Sequence, residues 1–162
     1  MFGFIYKKNI LFYNHQLIGY LLIKTVWIKV YFKRGSLTLG MQISKKTLVL
    51  GASDNPTRYS FMAITRLRQQ GHLVVAIGKK ETKISDINVA TGFPLLDNID
   101  TVTLYLNPQN QKVFYDYIIS LNPKRIIFNP GTENTEFAKM AAAHGVYTME
   151  ACTLVLLSTN QY

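Results

Sequence analysis

From residue 45 onward, short apolar runs alternate with amphipathic stretches, and glycine or proline closes nearly every run. Few folds accept that punctuation. Thr47-Leu48-Val49-Leu50 stops at Gly51, and Leu73–Ile77 stops at Gly78. Thr101–Leu106, Arg125–Phe128 and Val146–Met149 are further runs of strand length. Between them the apolar spacing is helical. Phe61, Ile64 and Leu67 precede Gly71; Val113, Tyr117 and Leu121 are predicted to point inward; Phe137, Met140 and Ala141 precede Gly145. Asn107-Pro108 reads as a helix cap with proline at the first helical position. Residues 79–98 read as irregular, with Gly92 and Pro94 as punctuation, and Ala151–Leu157 as a closing helical turn or strand. Strands alternating with helices predict an α/β chain: an open, mostly parallel five-stranded sheet with helices on both faces.

The first 40 residues do not share this pattern. They carry Lys7, Lys8, Lys24, Lys29, Lys33 and Arg34 with no Asp or Glu, so +6 of the net +9 lies there. They also lack Ala, Pro and Cys. Asn14, His15, Gln16, Lys24 and Lys29 interrupt any transmembrane-length run, and no small-residue cleavage site follows the apolar stretch. We read residues 1–40 as an extension outside the domain, translated upstream of a start at Met41, with a peripheral membrane anchor or a targeting segment as the alternatives. Residues 41–162 then form one domain. They are only mildly basic and show no clustered basic face, so neither nucleic acid nor membrane is expected as their partner. The one cysteine excludes an intrachain disulfide and a multi-cysteine metal site, and fits a cytoplasmic protein.

A parallel sheet binds ligands beyond the carboxyl ends of its strands. Three such ends are small and polar: Gly51–Arg58, Asn107-Pro108 and Asn129–Glu133. The first opens a helix, whose N–H groups suit a phosphate, with Ser53, Ser60 and Arg58 able to assist. The plain alternative is a glycine-containing turn, because Ser53 and Pro56 stand where a dinucleotide fingerprint has glycines. The second strand ends in Ile77-Gly78-Lys79-Lys80. NAD sites usually place a carboxylate there for the ribose hydroxyls. Two ammonium groups suit instead a phosphorylated ribose, as in NADP and coenzyme A, or form a solvated basic loop. No zinc-protease, P-loop or nucleophile-elbow motif occurs, and no catalytic or metal-ligating residue is identified. His72 and His144 read as structural or solvated, and Cys152 as a small buried hydrophobe.

Thr47–Ser60, Ile77–Lys80, Asp100–Asn107, Phe128–Glu133 and Glu150-Ala151-Cys152 together resemble the CoA-binding domain family, small proteins similar to the CoA-binding domain of the succinyl-CoA synthetase alpha subunit. The resemblance covers residues 45–162 and implies a Rossmann-like three-layer fold. It implies that Gly51, Ala52, Ser53, Arg58 and Ser60 hold the CoA phosphates, and that Gly78, Lys79 and Lys80 lie near the adenosine phosphate. Asn107, Pro108, Asn129, Pro130, Gly131, Thr132 and Glu133 would line the pantetheine side. The expected function is binding of coenzyme A or an acyl-CoA by a non-catalytic, regulatory module. The alternative is an NADP-dependent reductase or a partner-dependent acyl-CoA ligase subunit.

Overall fold

The computed structural model describes the backbone of residues 9–13, 16–23, 26–33 and 36–43, and all atoms of residues 44–162. It divides into two compact units, Met1–Ser44 and Lys45–Tyr162. In the first unit the chain runs through β1 (Asn9–Tyr13), β2 (Gln16–Ile23), β3 (Val26–Lys33) and β4 (Ser36–Ile43). These pair antiparallel in chain order. The sequence pattern predicts no element before Met41, yet these segments are rich in the β-branched and aromatic residues that favour strands. Lys7, Lys8, Asn14, His15, Lys24 and Arg34 lie outside the described residues.

The second unit comprises β5 (Lys46–Ala52), α1 (Tyr59–Gln69), β6 (Leu73–Gly78), β7 (Thr82–Ile84), β8 (Ile87–Ala90) and β9 (Thr101–Leu104). Then come α2 (Pro108–Gln111), a single 3-10 turn (Lys112–Phe114), α3 (Tyr115–Ser120), β10 (Arg125–Phe128), α4 (Thr135–Ala143), β11 (Tyr147–Glu150) and α5 (Thr153–Ser158). The sheet order is β11-β10-β9-β5-β6-β8-β7, parallel except for β7. Chain direction across the sheet reverses between β5 and β9, as in a Rossmann-like fold.

The period of two along the strands builds both layers. Leu48, Leu50, Val102, Leu104, Ile126 and Phe128 face one side, where Tyr115, Ile118, Phe137 and Ala141 cover them. Val49 and Ala76 face the other side and meet Ile64 and Leu67 of α1 and Leu157 of α5.

Two expectations need correction. The sheet of this unit has seven strands rather than five, because residues 79–98 contain the β7–β8 hairpin. Thr82, Ile84, Ile87 and Val89 carry its register, but its turn is Ser85-Asp86, with Ser85 at φ 56°. That pair lacks the Asn-Gly or Asp-Gly signal that identifies such turns in sequence. The helical phase after Pro108 also differs. The 3-10 turn tightens the chain, so Tyr115 and Ile118 point inward while Val113 is 68% exposed.

We propose that the chain beginning at Met41 folds without what precedes it, since among the described residues both core layers are built from Leu48 onward. Calorimetry of a 41–162 variant should show one cooperative transition within a few degrees of the full chain's. Loss of cooperativity would show that the first unit is needed.

Candidate functional site

β5, β6, β9 and β10 are adjacent and parallel, so their carboxyl ends lie side by side. Every residue the sequence singles out for binding belongs to these ends or to the helical turn that follows. At the switch point the chains touch. Gly51, at φ 93°, forms a bulge in β5, and a Cβ there would sit 2.8 Å from the Tyr105 carbonyl carbon. A Cβ on Gly78 would sit 2.6 Å from the Ala52 oxygen. Both glycines therefore answer first to a close backbone approach.

The β5–α1 loop is internally braced. Ser53 Oγ accepts from the Asn55 N–H (3.3 Å), and Asn55 Oδ1 accepts from the Thr57 N–H and hydroxyl (3.0 and 2.9 Å). Arg58 is the exposed N-cap of α1, yet no side chain caps this helix and its first turn has no acidic residue. The helix dipole there thus faces the loop without a carboxylate of its own. Ser60 is buried in that first turn. Lys79 is exposed, and no ion pair joins it to a described residue. Lys80 Nζ lies 2.9 Å from Asp54 Oδ2, and the Thr82 hydroxyl donates to the same oxygen at 3.1 Å. The Lys80 ammonium, helped by Thr82, holds the Asp54 carboxyl below its ordinary pKa. In sequence Asp54 reads as an isolated loop carboxylate. The signal for its role is its place at one strand end, opposite two lysines at the next.

On the β9 and β10 side, most polar side chains serve the frame. Asn107 Oδ1 accepts from the Asn110 N–H at 3.0 Å, the predicted cap, with Pro108 as the first helical residue. Asn129 is buried. Its Nδ2 donates to Thr103 Oγ1 (2.7 Å) and the Leu104 carbonyl (3.0 Å), and its Oδ1 accepts from the Thr153 N–H (2.8 Å). Thr132 is buried and donates its hydroxyl to the Asn129 carbonyl at 2.8 Å. Gln111, which no sequence motif marks, donates to the Leu106 and Thr132 carbonyls at 2.8 Å each. It also accepts from Asn134, itself the cap of α4. Exposed Pro130, Gly131 and Glu133 form the outer rim, where the Gly131 N–H donates to Glu133 Oε2 at 2.8 Å.

Cys152, expected as a small buried hydrophobe, is half-buried as the N-cap of α5. The Tyr105 hydroxyl is buried without a well-formed hydrogen bond, and burial pushes its pKa up to about 12. Among the described residues no group of three or more His, Cys, Asp or Glu could hold a metal ion, and no helix is long and apolar enough to cross a membrane.

The edge therefore presents Arg58, Lys79 and Lys80 and an uncapped helix N-terminus, with Asp54 paired to Lys80 and the exposed carboxylates Glu81 and Glu133 nearby in the chain. That donor set fits an anionic, phosphate-bearing ligand. Comparison with solved structures agrees on the fold. A protein crystallised as uncharacterized is 43% identical, covers 75% of this chain and 100% of its own, and superposes with a TM-score of 0.73. A protein described as cell-free ID.343 from Thermus thermophilus is 20% identical over 74% of this chain and 91% of its own, with a TM-score of 0.66. A hypothetical protein from Pyrococcus horikoshii OT3 is 22% identical over 72% and 83%, also with a TM-score of 0.66. A search of curated proteins finds no match. A protein-family model described as a CoA binding domain matches residues 45–158, the length of the α/β unit from the start of β5 to the end of α5, and the chain belongs to that CoA-binding domain family.

Proposed function

We propose that this chain holds coenzyme A or an acyl-CoA across the carboxyl edge of its sheet, as a binding or regulatory module without a reaction of its own. One observation carries the choice of ligand. At the end of β6, where a dinucleotide site would place a carboxylate for the ribose, the chain has Lys79 and Lys80 beside the uncapped start of α1. Coenzyme A brings a phosphorylated ribose to such a position and a pyrophosphate to the helix. Lys79 is the more available cation, since Asp54 shares Lys80.

Calorimetric titration of the wild type and of the Lys79→Ala/Lys80→Ala variant, each with coenzyme A and dephospho-CoA, tests this. A charge-assisted phosphate contact contributes roughly 1.5–3 kcal/mol before screening, so the variant should lose about tenfold for coenzyme A. Dephospho-CoA should be nearly unaffected. Equal loss for both ligands would move the lysines to the pyrophosphate. Tighter binding of NADP than of coenzyme A would turn the reading toward a reductase.

A further inference from the structure

The strand ends of β5 and β6 start side by side, because Ala52 pairs with Gly78 in the sheet register. Two residues beyond each lie Asp54 and Lys80, 2.9 Å apart. Asp54 is the only carboxylate between Ala52 and the end of α1, so it alone offsets Arg58, Lys79 and Lys80 at this corner from the β5 side. Its Oδ2 accepts both the Lys80 ammonium and the Thr82 hydroxyl, which ties the β5–α1 loop to β7. The contact is not locked in the core: the side chains are 36% exposed for Asp54 and 71% for Lys80. One anion can exchange for another there without repacking either apolar layer.

We propose that Asp54 is a resident counter-anion guarding the phosphate site: its carboxylate holds the Lys80 ammonium, and an incoming phosphate must take that ammonium from it. This rests on the reading above that the edge binds a CoA-type ligand. A phosphate monoester carries more charge and more acceptor oxygens than one carboxylate, so it wins the exchange. A weakly charged ligand does not. Asp54 thereby lowers affinity for any ligand that must take the Lys80 ammonium, which makes it a residue that sets the affinity of the site for phosphate. Thr82, relieved of its acceptor, is left free to follow the phosphate with its hydroxyl.

The test titrates coenzyme A and, separately, inorganic pyrophosphate against full-length wild type, Asp54→Asn, Lys80→Ala and the double variant. Asparagine keeps an acceptor for Thr82, so the loop retains its tether, and equal melting temperatures verify this. Asp54→Asn should bind both probes about two- to fivefold more tightly, the range for one exposed ion pair. The gain should vanish in the Lys80→Ala background. Unchanged or weaker binding by Asp54→Asn overturns the proposal, because Asp54 would then position Lys80 rather than compete for it. A gain that persists without Lys80 also overturns it, since Asp54 would act only through the general field. Failure of the wild type to bind coenzyme A, with a Lys80-dependent gain for pyrophosphate intact, refutes the CoA reading and leaves the guard standing.

Discussion

Gly51→Ala is expected to destabilise the protein by about 2–5 kcal/mol, a large share of the ~5–15 kcal/mol that typically holds a domain folded. Two separable causes contribute. At φ 93° an L side chain costs about 1–2 kcal/mol. A methyl group 2.8 Å from backbone carbon and 2.9 Å from backbone oxygen of Tyr105 forces β5 and β9 apart, at about 1–3 kcal/mol. Two other glycines isolate these causes. Gly131 has φ 85° with nothing within 4 Å of where a Cβ would stand, so its alanine variant should show the conformational cost alone. Gly78 has ordinary φ but a 2.6 Å approach to the Ala52 oxygen, so its variant should show the steric cost alone. Urea unfolding of the three variants measures this. If Gly131→Ala costs as much as Gly51→Ala, the close approach is not the cause.

Stability should also decline as pH falls from about 6.5 to about 4, because of His72. Burial, with Lys45 and Arg125 nearby, lowers its pKa from 6.5 to about 4, while Asp100 pulls the other way. His72 is 1% exposed, and its Nδ1 accepts from the Lys45 N–H at 3.2 Å. Its proton therefore sits on Nε2, which has no hydrogen-bond partner, and the imidazole lies 4.9 Å from the Tyr162 ring. The unfolded chain takes up a proton below pH 6.5 that the native chain refuses until about pH 4. The loss accumulates through that window, levels off below it, and is on the order of 3 kcal/mol. The lowered carboxyls of Asp54, Asp86 and Asp97 act in a different window, because their contribution is lost only below the ordinary carboxylate value of 3.8. Denaturant unfolding between pH 7 and pH 4 should therefore show a slope that His72→Gln flattens. An unchanged slope in that variant would assign the pH dependence elsewhere.

β5, β6, β9 and β10 are legible in sequence because each is a short apolar run with a glycine or an Asn-Pro turn behind it. Asn107 is legible as a cap because Asn-Pro before a helix has one common use. The β7–β8 hairpin is not, since its Ser85-Asp86 turn adopts its conformation without a marker residue. Nor is the 3-10 turn, because Val113, Tyr117 and Leu121 keep a plausible helical spacing while the backbone changes phase beneath them. At the candidate site, residue identity locates the edge but not the work of each side chain. Asn129 and Thr132 look like ligand donors in sequence and are bound to the frame in space. The Asp54–Lys80 contact depends on which strands are neighbours, and only the sheet order supplies that.

The hooking of Asn129, Gln111 and Asn134 to one another's loops has an engineering consequence. On the β9 and β10 side Asn129, Gln111 and Asn134, which hold the edge in shape, are buried, while Arg58, Lys79, Pro130 and Glu133 stand outside that web. Architecture and reading head are separate parts. If the edge binds an anion as proposed, a library that varies only the four exposed positions should shift which ligand it takes while the scaffold beneath keeps its melting behaviour.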